Sequence, residues 1–217
     1  MAYKKSTITK KRIIDAAIKL FNEKGYYETS IKDIAAIANV AHPCIYYYFK
    51  NKESIAREIF SDIIEQIVSE SQKSFRRESD LLLSFMIDYI LVFKYIAMNK
   101  TTHAVYYDLV QYCNYDEANL NRLKASFFSS ASDFFGQYGV NASEDFITAY
   151  VITSDAFAKA LFKGILNGHL NFSLEEASDY FFRHMLISNL NITEEEYMVK
   201  FRKAFEICET IRIDDKL

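Results

Sequence analysis

Apolar positions recur along this chain at intervals of three and four residues, the spacing of one face of an α-helix. In "KKRIIDAAIKLFNEKG", Ile13, Ala17, Leu20 and Phe21 make one stripe, which follows Thr9 and stops at Gly25. A second segment, "IKDIAAIA", begins behind Ser30 with Asp33 three residues on, a capping box with Asp in place of Glu or Gln. Asn39 tolerates the left-handed conformation and suits a tight turn. "HPCIYYYF" then predicts a third, short helix with Pro43 in its first turn, where a missing N–H costs little. Asn51 caps a long fourth helix running to about Glu78, on which Ile55, Ile59, Ile63 and Ile67 repeat every four residues. Helices two and three, joined by a turn of about four residues, predict a helix-turn-helix.

The rest of the chain also reads as helix: 81–98, 102–113 and 117–139, then three capped starts. Those starts are Asn141 with Glu144, Ser173 with Glu176 and Thr193 with Glu196, which predict helices over about 143–168 and 174–190 and one more after Thr193. Five Gly and one Pro in 217 residues fit long helices with short connections, so the fold class is all-α with about nine to ten helices. The greasiest stretch, "LLLSFMIDYILVF" (81–93), is interrupted by Ser84 and Asp88 and reads as too short to span a bilayer; no membrane partner is expected. The N-terminal "MAYKKSTITKKR" has no apolar run of a signal peptide. Cys44, Cys113 and Cys208 form no CxxC, which fits reduced thiols and a cytoplasmic location.

The net charge of −3 hides a split. Residues 1–60 carry eleven Lys/Arg against six Asp/Glu, and residues 61–217 carry fifteen against twenty-three. A basic head on an acidic body points to a polyanion as the partner of the head. In a helix-turn-helix the second helix enters the major groove of double-stranded DNA, its N-terminal residues reach base edges and flanking groups hold phosphates. Tyr46, Tyr47 and Tyr48 stand about 100° apart around a helix. They therefore cannot all be core, and their hydroxyls can reach phosphates on both groove walls. Pro43 offers an apolar face to a thymine methyl, Phe49 points back to Leu20, Phe21 and Ile34, and Lys52 at the start of helix four can meet a phosphate.

The run from Lys11 to Ile55 resembles the N-terminal domain of the tetracycline-repressor (TetR) family, through "IIDAAIKLFNEKGY", "TSIKDIA" and "IYYYFKNKESI". The likeness covers roughly residues 7–67, with the motif itself at about 30–49. It implies a DNA-binding head over 1–50 and a helical effector-binding and dimerisation domain over 51–217. It implies Lys32 as a base or phosphate contact, His42, Pro43, Cys44 and Tyr47 as groove readers, and Tyr46, Tyr48 and Lys52 as phosphate contacts. Asn39 stands where the family prefers Gly, Ala41 where it prefers Ser or Thr, and Pro43 where many members have Gly. Ala41 loses a side-chain cap on the recognition helix.

In the body, Phe85, Tyr89, Phe93, His103, Tyr106, Tyr107, Phe127 and Phe128 lie on helices that enclose the family's effector pocket, so a small lipophilic or aromatic effector is expected. Many of these aromatics would serve equally as plain core. The helices over about 143–168 and 174–190 correspond to the family's dimer bundle. The first lines up Phe146, Tyr150, Thr153, Phe157, Ala160, Gly164 and Gly168, large residues giving way to small ones as in a close helix crossing; an intrachain stripe is the alternative, above all for Phe146 and Phe157. No GxGxxG, P-loop, HExxH or ExxH pair is present, so no enzyme, cofactor or metal site is expected. The expectation is a ligand-responsive repressor acting as a homodimer on a palindrome. The alternative is a DNA-bound adaptor of the same fold that works through a protein partner without a small effector.

Overall fold

The computed structural model describes residues 2–74, 80–98, 120, 121, 124 and 131–212. Among them it shows nine α-helices and no strand: α1 (Ala2–Lys24), α2 (Ile31–Ala38), α3 (His42–Tyr48), α4 (Lys52–Ser74), α5 (Leu81–Met98), α6 (Ala131–Gln137), α7 (Glu144–Leu166), α8 (Leu174–Phe182) and α9 (Glu194–Thr210). A π-helical turn, Arg183–Ile187, continues α8. The fold class is all-α. Two compact units divide these residues, one reaching Ile63 and the other beginning at Ile64.

The first unit is built on caps and a small apolar centre. α1 starts well before Thr9, because nothing in "AYKKSTIT" breaks a helix. It ends at Gly25, whose φ of 87° lets its amide turn back to the Phe21 carbonyl at 3.0 Å. Ile13, Ala17 and Phe21 of α1 are buried, as are Ile34 of α2, Ile45 of α3 and Ile55 and Ile59 of α4. Ser30 and Asp33 make the reciprocal capping box on α2, and Asn39 closes that helix at φ 51°, ψ 53°. The Asn51 side chain accepts the Ser54 amide at 2.8 Å and caps α4, on which Ile55, Ile59, Ile63 and Ile67 are all buried.

The second unit centres on α5, of which every residue from Leu82 to Phe93 is buried. At 18 residues α5 is long and apolar enough to cross a membrane by length and composition, which corrects the shorter reading of 81–93; 78% of it is buried inside the fold. Its aromatics interleave with those of later helices. Tyr89 stacks on Phe181 at 4.9 Å between centroids, Phe93 meets Phe162 at 4.6 Å, and Phe85 meets Phe134 and Phe182 at 5.7 and 5.9 Å. Each such pair contributes about 0.5–1.5 kcal/mol beyond area burial. Buried polar tips find partners: the Tyr150 hydroxyl donates to the Met185 carbonyl at 3.1 Å, and Tyr197 donates to Asp179 at 2.8 Å. Burial pushes both phenols above the ordinary tyrosine value.

Two caps differ from expectation. Ser143, not Asn141, caps α7 by accepting the Phe146 amide at 3.2 Å, since the cap must precede the first helical residue, Glu144. The helix expected over 174–190 keeps α geometry only to Phe182 before widening into the π turn. Ser173 and Glu176 do form a reciprocal box, which holds the Glu176 carboxyl below its ordinary value, and Thr193 caps α9. The segment expected as helix over 102–113 lies outside the described residues, as does most of 117–130.

Candidate nucleic-acid interface

α2, the turn and α3 form the helix-turn-helix. The Asp33 carboxylate closes the N-terminal end. It accepts from Lys24 at 2.8 Å, from the Ser30 hydroxyl at 2.7 Å and from the Ser30 amide at 2.9 Å. The Lys24 contact first and the two Ser30 contacts next hold this carboxyl well below the usual carboxylate range. At the turn, the Val40 amide donates to the Ala35 carbonyl at 3.0 Å and Asn39 to Ala36 at 3.2 Å. α3 begins at His42 with no side-chain cap from Ala41, and Pro43 sits within its first two positions. The Cys44 amide donates to the Ala41 carbonyl at 2.8 Å.

The expected groove-facing residues are distributed as follows. Tyr47 is 79% exposed and Tyr46 53%, while Ile45 between α3 and the centre is fully buried. Lys32 and Pro43 are exposed; His42, Cys44 and Tyr48 are half-buried. The His42 ring meets Tyr46 edge-on at 5.4 Å, and Tyr47 meets Tyr48 at 5.0 Å, so the fan of phenols is braced in two pairs. Phe49 is buried, with the Lys10 ammonium 5.6 Å from its ring.

Lys52 has partners of another kind than phosphate. Its ammonium donates to the carbonyls of Tyr26, Thr29 and Tyr27 at 2.7, 3.0 and 3.4 Å, and lies 4.1 Å from the Tyr26 ring centroid. Burial pulls its pKa below the ordinary lysine value, with Glu28 opposing. Lys52 thus ties the start of α4 to the loop between α1 and α2. Lys10 pairs with Glu58, and Lys24 with Asp33. The exposed cations of this unit without an ion pair among the described residues are Lys11, Lys32, Lys50 and Arg12, the last of which is hydrogen-bonded to backbone carbonyls.

Two residues that sequence reasoning passed over now stand out. Lys50 is exposed immediately after α3, and its place beside the tyrosine run was signal enough to find it. Arg12 reaches from α1 to the carbonyls of Ala38 and Asn39, the second at 3.0 Å, a contact that no local pattern announces.

In the body, Phe85, Tyr89 and Phe93 are buried in the aromatic cluster of α5, α6, α7 and α8. His103, Tyr106, Tyr107, Phe127 and Phe128 lie outside the described residues. A shallow groove of about 420 Å³ is lined by charged side chains including Asp80, Glu195, Glu196, Lys200 and Lys203, and by none of the expected effector residues. Tyr150 is buried within its own chain against Phe135 at 5.0 Å. Phe157 is half-buried between Phe181 at 5.8 Å and His184 at 4.6 Å. Gly164 lies beneath Leu170, whose Cδ1 would be 2.8 Å from an added Cβ; its carbonyl accepts the amides of His169 and Leu170 at 2.9 and 3.1 Å. Gly168 is exposed with φ 69° in the turn that brings Leu170 back. Both glycines therefore meet a need within the chain. Tyr180, 51% exposed, packs on Phe157 and Phe172 at 5.9 and 5.7 Å and leaves an aromatic face on α7 and α8.

A buried three-helix centre that leaves α3 outward is the architecture of a helix-turn-helix nucleic-acid-binding head. Residues 13–59 match the family model described as bacterial regulatory proteins, tetR family. Over 84 residues the chain is 36% identical to IcaR, the HTH-type negative transcriptional regulator of the biofilm operon icaADBC in Staphylococcus aureus, covering 37% of this chain and 45% of that protein. Over 68 residues it is 35% identical to the fatty acid metabolism regulator protein of Bacillus subtilis, covering 31% and 35%. The chain thus spans less than half the length of these curated relatives. The structure of RolR in complex with the ligand resorcinol matches with a TM-score of 0.65 at 16% identity, over 98% of both chains. A TetR transcriptional regulator from Rhodococcus sp. RHA1 matches at 0.66 and 16%, over 87% of this chain and all of the other. At that identity the likeness establishes the fold alone. The family match resides in the head, where residues 13–59 carry the pattern of tetR-family bacterial regulatory proteins.

Proposed function

We propose that this protein is a transcriptional repressor in the cytoplasm that binds duplex DNA through α3 as a homodimer and is released by a small lipophilic effector held in the body. The observation that carries the reading is the outward face of α3. Tyr46 and Tyr47 project from a helix whose opposite side is anchored by the buried Ile45, on a head that matches the family model. His42, Pro43, Cys44 and Tyr47 read the groove, while Tyr46, Tyr48, Lys32 and Lys50 meet the backbone, since phosphate contacts position and base contacts specify. Two copies must set their α3 helices about 34–36 Å apart to enter successive major grooves. The aromatic face of the exposed Tyr180 and His184, with the half-buried Phe157 beneath them, is the surface for the second copy. Release requires the effector to prefer the non-binding form; moving a population from 99:1 to 1:99 takes about 5.5 kcal/mol of differential affinity.

The test is selection of duplexes from a random-sequence pool, followed by sedimentation with the enriched site. A palindromic consensus bound by two chains is the expected result; no enrichment, or one chain per site, overturns the reading. The compact packing of Phe85, Tyr89 and Phe93 favours a second reading, a DNA-bound adaptor that acts through a protein partner. A panel of small phenols, beginning with resorcinol, and of lipophilic compounds separates the two. An effector-released repressor gains thermal stability from a compound that also weakens DNA binding, and an adaptor gains none.

A further inference from the structure

We infer that Arg12 is a positioning residue for the recognition helix: from α1 it holds the turn that aims α3, in place of the side-chain cap that Ala41 cannot supply. The inference rests on the reading of α3 as the DNA-facing helix. The turn is short of anchors at both ends. Asn39 holds the left-handed conformation, which Asn tolerates better than other non-glycine residues but less freely than the Gly common at helix ends. The start of α3 has no side-chain cap. The amides of Asn39 and Val40 satisfy the carbonyls of Ala36 and Ala35. The carbonyls of Ala38 and Asn39, at the end of α2 and in the turn, both accept from the Arg12 guanidinium. A cation at the C-terminal end of α2 is also favoured by that helix's dipole. Because Arg12 grips both the last residue of α2 and the left-handed residue itself, it sets the direction in which the chain leaves toward α3.

A phosphate contact and a positioning residue fail differently. Removing a phosphate contact flattens the salt dependence of DNA binding by about 1. Removing a positioning residue lowers affinity without changing the slope, and an independent device that fixes the same helix restores it. Serine at 41 is such a device. Ala41 has φ −64° and ψ 138°, the extended geometry of an N-cap, so a serine hydroxyl there can share the Cys44 amide, which already donates to the Ala41 carbonyl at 2.8 Å.

The experiment compares wild type, Arg12→Ala, and Arg12→Ala with Ala41→Ser. One measurement is amide exchange of α3 without DNA; the other is affinity, across salt concentrations, for a duplex enriched from a random pool by the wild-type protein. The expected result for Arg12→Ala is faster exchange across α3 with the rest of the head unchanged, and affinity lowered about fivefold, the typical effect of losing one helix cap. The salt slope stays the same, and Ala41→Ser restores most of the loss. Arg12→Lys, which keeps the charge but not the forked donor, supplies the same readings at intermediate size if Arg12→Ala fails to fold. A slope lower by about 1 without restoration assigns Arg12 to a phosphate and overturns the inference, as does unchanged exchange in α3. If the wild-type protein enriches no duplex, the DNA-binding reading fails while the exchange measurement still decides what Arg12 does.

Discussion

The head and the body stabilise themselves by different means. In the head a handful of directional contacts defines the backbone: the Ser30–Asp33 box, Asn39 in the left-handed region, Arg12 on two carbonyls and Lys52 on three. In the body, shape comes from bulk, with α5 enclosed by rings from α6, α7 and α8 and few polar groups among them. Beside buried serines such as Ser84, Ser154 and Ser178, Asp88 stands out as a carboxylate 1% exposed in the middle of α5. Burial, opposed by Lys94 and aided by Asp88, pushes the Cys208 thiol up to about 12, so that sulfur is inert. The contrast teaches that a basic head need not present all its cations. Arg12 and Lys52 are committed to carbonyls, Lys10 and Lys24 to carboxylates, and the outward charge is left to fewer lysines.

Phe181→Ala should show the largest effect, because its ring is fully buried and touches Tyr89, Phe93, Phe157 and Phe182. A stability loss of about 3–5 kcal/mol by chemical denaturation is expected. A loss under about 1 kcal/mol would break the comparison by showing that the aromatic cluster is loosely packed.

Gly164→Leu should cost about 1–3 kcal/mol, since the new side chain must displace Leu170. If stability were kept and sedimentation instead shifted toward a single chain, the glycine would serve a second copy and not its own Leu170.

Lys52→Ala and Lys50→Ala sharpen the contrast within the head. The first removes charged hydrogen bonds to the loop carbonyls of Tyr26 and Thr29 at a partly exposed site. It should lower stability by about 1–2 kcal/mol with no change in the salt slope of DNA binding. The second should leave stability alone and flatten the slope by about 1. The reverse outcome would return Lys52 to the phosphates.

The smallest effect concerns acid. Asp33 is held below its ordinary value in the folded head, so the unfolded chain binds the extra proton as pH falls. Its contribution is complete above the ordinary carboxyl range, near pH 4, and declines below that. Asp33→Asn should remove this part of the acid dependence in denaturation curves taken between about pH 5 and 2. An unchanged curve would mean that the capping box does not form in solution.

Local chemistry was enough to read the caps and the helix periods. Ser30, Asn39, Asn51, Ser173 and Thr193 act on amides or turns within a few residues of themselves, so their roles follow from neighbours in sequence. The outward face of α3 was legible for the same reason, because three adjacent tyrosines on one helix cannot share one buried side. What a side chain meets across the fold was not legible. Lys52 carries the same local signature whether its ammonium faces a phosphate or the Tyr26 and Thr29 carbonyls, which are more than twenty residues away. Arg12 shows the same limit, and Gly164 shows it in the body: the stripe of large and small residues fits a crossing with a second chain as well as a fold-back onto Leu170. Periodicity fixes which face a residue takes, while the partner on that face is set by how distant segments return, and only the tertiary structure decides that.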